Sequence, residues 1–300
     1  MASKITRAVV LVSTFGLLAP LVAPLVAPLV APLASLLPHA AHAETAPAMT
    51  ASQLVRVLRL QDVIAVMEIE GRDYGGQLRS EMFPDRSAAE WDRQVARIYD
   101  GTRLQGLISA RLEKELQSKP EVVRAAEAFF GSPIGRKILG LEVEARHALL
   151  DDATEAAAKT ALADMEQRSA PRLEALHRFA KTNDLIEMNV MGAMNANLAF
   201  YRGMAEGGAL GGLSEDDMLA EVWAQEAQVR ADAEDWLWPY LALAYQPLSD
   251  EELQAYQRFS DTPAGRDLNA ALFVAFDEAF VQISRDLGRA AARMVQGEDI

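Results

Sequence analysis

Beyond residue 50, apolar residues recur every three or four positions, and no long stretch alternates apolar with polar. That period is helical. Thr50 and Gln53 have the spacing of a capping box ahead of "LVRVLRLQDVIAVMEIE". This run predicts a first helix that frays around Gly71, Gly75 and Gly76 and is closed by Pro84. Ser87 and Glu90 form a second Ser-x-x-Glu box before Trp91, Val95, Ile98, Tyr99, Leu104, Leu107, Ile108 and Leu112, which predict one long helix. A short helix follows from about Glu121 to Phe130. Ser132 then supplies a capping oxygen and Pro133 a first-turn residue whose missing N–H costs nothing there.

The second half repeats this order. Pro171 interrupts the pattern, and Leu173, Leu176, Phe179 and Leu185 resume it. "EGGALGG" (206–212) reads as a loop. Ser214 with Asp217, and Ser249 with Glu252, begin helices in capping-box manner. Thr262-Pro263 opens a last helix carrying Leu268, Leu272, Phe276, Phe280 and Ile283.

Two peptides are near copies. "FFGSPIGRK" holds Phe129, Ser132, Pro133, Gly135 and Arg136. "FSDTPAGRD" holds Phe259, Thr262, Pro263, Gly265 and Arg266, each 130 positions later. The Pro-x-Gly-Arg sequence reads as a rigid helix-to-helix corner, in which Gly lets a neighbouring helix approach and Arg lies over it. Ser87 and Ser214, 127 apart, repeat another helix start in the same order. The pattern predicts an all-α protein of about eight helices in two similar four-helix halves, 44–168 and 169–300, created by internal duplication.

The stretch "LSDEELQAYQRFSDTPAGRDL" resembles the core signature of the bacterial exported family called domain of unknown function 2059 (DUF 2059). The resemblance covers residues 248–285, with a weaker copy at 120–150. The family's Phe-Tyr pair stands here as Phe259-Ser260 and as Phe129-Phe130, so neither copy is standard. The resemblance implies an all-helical exported protein and brings no activity or catalytic residues.

The first 43 residues change the picture of where the chain works. A basic start with Lys4 and Arg7 leads into an uncharged apolar run that ends at Ala41-His42-Ala43. This predicts a signal peptide cleaved after Ala43 and a periplasmic protein. Pro20, Pro24, Pro28 and Pro32 disfavour a stable spanning helix, so an uncleaved membrane anchor is the lesser alternative. Cleavage leaves a net charge of −16. Nucleic acid and anionic lipid are poor partners for such a chain. It has no cysteine, so no disulfide contributes.

Candidate chemistry is sparse. Glu144/His147 and Glu174/His177 are two E-x-x-H pairs, half of a di-iron carboxylate set. A hairpin turning near Pro171 would hold them about 27 Å apart, and surface pairs that merely support their helices are the competing reading. Of the acidic clusters Asp151-Asp152, Glu215-Asp216-Asp217 and Asp250-Glu251-Glu252, the last two fit helix first turns. Trp223, Trp236, Trp238, Tyr240 and Tyr245 read as core, with one of Trp236 and Trp238 more exposed because i and i+2 face apart. Met188, Met191, Met194 and Met204 read as adaptable core. No nucleophile elbow, phosphate loop or zinc spacing occurs. The functional expectation is a non-enzymatic exported module, with no cofactor, that binds a periplasmic protein or envelope component through a helix groove. A metal-binding or carboxylate-based hydrolytic bundle is the alternative.

Overall fold

A computed structural model describes residues 51–168 and 170–297, and among these every regular element is a helix. Residues 1–50, which include the expected signal peptide, its expected cleavage site at Ala43, and Thr50, lie outside the described residues. Helix α1 (Ala51–Val57) and α2 (Leu60–Met82) are followed by α3 (Ala88–Ile98), α4 (Gly101–Leu116), α5 (Pro120–Phe130), α6 (Pro133–Ala148) and α7 (Asp152–Gln167). The remainder holds α8 (Pro171–Thr182), α9 (Leu185–Glu206), α10 (Glu215–Trp223), α11 (Glu226–Tyr245), α12 (Asp250–Ser260) and α13 (Pro263–Gln296).

The expected count of about eight is too low, because polar residues break runs whose apolar period continues across the break. Arg59 (φ 54°) separates α1 from α2, and Asp184 (φ 50°) separates α8 from α9. Asp100 ends the predicted 91–112 helix by accepting the Arg103 N–H at 2.8 Å and starting α4. Asp151 does the same for α7 through the Thr154 N–H, also at 2.8 Å. In each case a carboxylate takes up an otherwise unpaired first-turn donor, which offsets the lost helical hydrogen bonds. Ser87 precedes α3 as its N-cap residue, but its side chain makes no capping bond.

The first long helix does not fray at its glycines. It runs through them to Met82, with Gly71 and Gly75 forming its contact with α3 and the end of that helix, while Gly76 faces open space. A side chain at Gly71 would overlap the Tyr99 ring, and one at Gly75 would meet Val95 Cγ2 at 2.6 Å. The Trp91 indole N–H donates to the Gly75 carbonyl at 2.7 Å across the same crossing.

The main hydrophobic cluster runs from Leu54 to Met294, and a small second one joins Val190, Ala193, Val229 and Ala233 between α9 and α11. The axis of the main cluster is α13, which buries Leu268, Leu272, Ala275, Ala279, Ile283 and Leu287. Around α13 lie α9 along its length, and α3, α4, α5 and α12. The α9–α13 approach is so close that a Cβ on Gly203 would strike the Arg285 carbonyl, and one on Gly288 the Phe200 carbonyl. Helix α4 packs on α13, while α11 packs on α6 and α7. Ion pairs follow the same lines: Arg111 to Glu278 (2.5 Å) and Lys119 to Asp267 (2.7 Å) on one side, Lys137 to Glu252 (2.6 Å) and Lys159 to Asp235 (2.7 Å) on the other.

Two glycine-to-alanine changes should therefore have opposite signs. Gly288→Ala forces backbone apart and should lower stability by about 2 kcal/mol or more. Gly106→Ala, on an open face of α4 with nothing near its Cβ position, should raise it by about 0.5–1 kcal/mol. Urea unfolding of both variants measures this.

Candidate functional site

The residues singled out by the repeated peptide come together. At the first corner, Ser132 Oγ accepts the Gly135 N–H at 3.1 Å and donates to the Phe129 carbonyl at 2.6 Å. At the second, Thr262 Oγ1 accepts from Gly265 at 2.9 Å and donates to Phe259 at 2.7 Å. Arg136 donates to the Gly131 carbonyl, and Arg266 donates to that of Asp261. Pro133 and Pro263 each occupy the first turn of their helix. Gly135 and Gly265 have no room for a Cβ, since the carbonyls of Phe129 and Phe259 lie in its place. The two corners touch: the Phe129 and Phe259 rings stack at 4.3 Å and 8°. Their hydrogen bonds fix each chain reversal, and the ring stack joins one corner to the other.

The E-x-x-H residues are not brought together. Glu144, His147, Glu174 and His177 all face solvent. Among the described residues, no group of three or more His, Asp or Glu is arranged to hold a metal ion. The acidic clusters cap helices. Besides Asp151 at α7, Ser214 with Asp217 and Ser249 with Glu252 form reciprocal capping boxes at α10 and α12. The Ser214 bonds hold the Asp217 carboxyl below its usual range, and Lys137, with the Ser249 N–H, does so for Glu252.

The aromatic expectation needs correction. Trp236 and Trp238 are both half-buried. Trp236 stacks on Tyr240 at 4.8 Å, and Trp238 meets the edge of His177 at 4.6 Å. Each finds its own neighbour because α11 is covered on more than one side. The exposed indole is Trp223, at 67 %. Of the methionines, Met204 is buried while Met191 is exposed.

His177 and Trp238 line a groove of about 330 Å³ between α8, the start of α9 and α11. Ala180, Leu185 and Ile186 add apolar surface, and Lys181, Asp184 and Glu187 charge its rim. Glu187 is held by Arg230 through two hydrogen bonds of 2.5 and 2.8 Å. Burial, then the Glu187 charge, pushes the Asp184 carboxyl up.

A second polar cluster escaped the sequence reading. Glu142 and Arg146, one turn apart on α6, are 5 % and 3 % exposed. Arg146 donates to both carboxylate oxygens of Glu70 on α2, at 3.0 and 2.8 Å. Glu142 accepts from the Tyr245 hydroxyl at 2.7 Å, and its backbone carbonyl accepts from Tyr240 at 3.4 Å. Tyr256 also hydrogen-bonds its carboxyl. Burial pushes Glu142 up to about 7 despite the bonds from Tyr245 and Tyr256. The only available signal was an acid and a base at i, i+4 on a face otherwise apolar, which ordinary surface pairs share. Too little solvent reaches this carboxyl for it to meet a substrate.

No family model, curated protein or solved structure matches the chain. The Phe129–Phe259 contact offers a direct measurement. Replacing each by Ala, singly and together, should give a coupling energy of about 0.5–1.5 kcal/mol in a double-mutant cycle of unfolding.

Proposed function

We propose that this is an exported, non-enzymatic helical protein that holds another periplasmic protein or an envelope component in the groove between α8, α9 and α11. The groove itself carries the reading. It has an apolar floor and a mixed-charge rim, and its volume suits one large side chain of a partner. Glu142, a buried acid pushed strongly upward, is 5 % exposed and so sealed away from solvent. Among the described residues no helix is long and apolar enough to cross a membrane, which agrees with a chain released after cleavage at Ala43.

We further propose that the two halves arose by internal duplication. Several features support it besides the repeated corners. Arg59 and Asp184, the non-glycine residues with positive φ among those described, stand 125 apart, each just before a long helix. The pair α3–α4 matches α10–α11, α5 matches α12, and α6 with α7 together span nearly the 34 residues of α13. Packing is reciprocal, with α4 of one half on α13 and α11 of the other on α6 and α7. The α9–α13 contact has no equal counterpart in the first half, where α2 touches α6 only lightly. The resemblance to DUF 2059 belongs to the same proposal, resting on residues 248–285.

Two measurements test it. N-terminal sequencing of the protein recovered from the periplasmic fraction should begin at Glu44; a start at Met1 would remove the cleavage step, and absence from that fraction would remove export. A photo-crosslinking residue at Lys181, beside the groove, should capture a discrete partner in cells. The same residue at Arg168, whose side chain is 72 % exposed, should not. Ile186→Trp, which fills the groove, should cut the Lys181 adduct at least tenfold. Equal labelling from both positions would sink the assignment.

A further inference from the structure

Glu142 sits where three helices from both ends of the chain meet. Its own helix, α6, presses against α11, which supplies Tyr240 and Tyr245, while Tyr256 arrives from α12. The cluster extends through rings: Tyr245 meets Tyr256 and Phe179, and Tyr256 meets Phe129 beside the stacked corners. The nearest cation on α6, Arg146, is committed to Glu70. The carboxyl is therefore solvated by phenols rather than by water or an opposing charge. Such an environment supports the neutral acid well and the anion poorly.

We propose that Glu142 is a proton-operated latch on the seam between α6 and the α11–α12 pair, closed when the carboxyl is protonated and loosened when it ionises. Tyr245 and Tyr256 reach the carboxyl, while Tyr240 holds the backbone carbonyl of the same residue. Burial raises each of them well above its ordinary value, so they stay neutral donors at any physiological pH. A protonated Glu142 can give its proton to one phenol oxygen while accepting from another. An ionised Glu142 keeps only the donated bonds and bears the full cost of a charge without water.

The other charged groups around the seam are accounted for by partners. From α2, Glu70 pairs with Arg146 and faces Tyr99. From α12, Glu252 pairs with Lys137 of α6 and is held below its usual range. Asp250 pairs with Arg172, which also donates to the Tyr245 and Leu248 carbonyls. From α7, Lys159 bridges to Asp235 of α11. Helix α5 brings the rings of Phe129 and Phe130. The Lys137, Lys159 and Arg172 pairs lie at the edges of the seam, and the Glu70–Arg146 pair is buried with Glu142, whose own carboxyl has phenols as its hydrogen-bond partners.

The sign follows from linkage. Glu142 titrates near 7 in the folded chain against 4.5 when unfolded. Between those values the folded state binds a proton that the unfolded chain does not. Stability is therefore greatest below about 4.5 as far as this group is concerned, falls as pH rises toward 7, and is level above it. Exposed acids with lowered values, such as Glu187 and Glu215, act oppositely and only toward acid pH.

Amide hydrogen exchange on the full chain at a series of pH values from 5 to 8, corrected for intrinsic rates, reads the latch directly. Residues 240–256 should open more at pH 8 than at pH 5, by up to about 70-fold, the share of the displacement of Glu142 that falls within this pH range. The midpoint should lie near 7. Glu142→Gln, neutral at every pH, should hold the segment at its low-pH protection throughout. Should that variant fold poorly, Tyr245→Phe removes a donor that favours the anion and should move the midpoint upward. An unchanged pH response in Glu142→Gln, a response centred on another segment, or a midpoint unmoved by Tyr245→Phe would overturn the proposal.

Discussion

The whole assembly depends on bringing helix backbones closer than ordinary side chains permit. Along α9 and α13 this happens at Gly203 and Gly288, each of which meets a carbonyl oxygen of the opposite helix. At the corners, Gly135 and Gly265 allow α6 and α13 to begin against the ends of the helices before them. Backbone cannot move aside as a flexible side chain can, so these contacts set the spacing for the layers outside them. Around this frame the core is filled largely with Ala and Leu, and aromatic rings gather where helices diverge.

Polar groups enter the interior under strict conditions. Glu70 and Arg146 satisfy each other through two hydrogen bonds. Asn269 donates to Asn183, and Asn183 in turn donates to the Phe179 carbonyl, tying α13 to the end of α8. Glu142 is the departure, since its partners are phenols and its charge has no counter-ion facing it. A buried pair fixes register and tolerates little change. A buried acid solvated by hydroxyls adds a dependence on solution conditions.

Much of this could be read from the chain, and the failures have physical causes. Helix identity and the corner bonds follow from local chemistry: Ser132, Thr262, Ser214 and Ser249 cap through atoms two or three residues away. Breaks at Arg59 and Asp184 were illegible, because left-handed backbone at a charged residue has no composition cue. Gly71 and Gly75 suggested fraying, since a glycine at a helix crossing and one in a weak helix look alike in one dimension. The groove and the Glu142 cluster join α6, α8, α9, α11 and α12. No single segment could announce them, as their residues are far apart in sequence.

Helix α13 has a bearing on how the polypeptide is made. It comes after all the other described helices in chain order, yet α3, α4, α5, α9 and α12 all rest on it. Earlier helices can form as they emerge, but their apolar faces have no permanent cover until this 34-residue helix is free. Synthesis must thus pass α13 before these helices can settle, and a nascent form lacking it would present sticky surface to whatever escorts it.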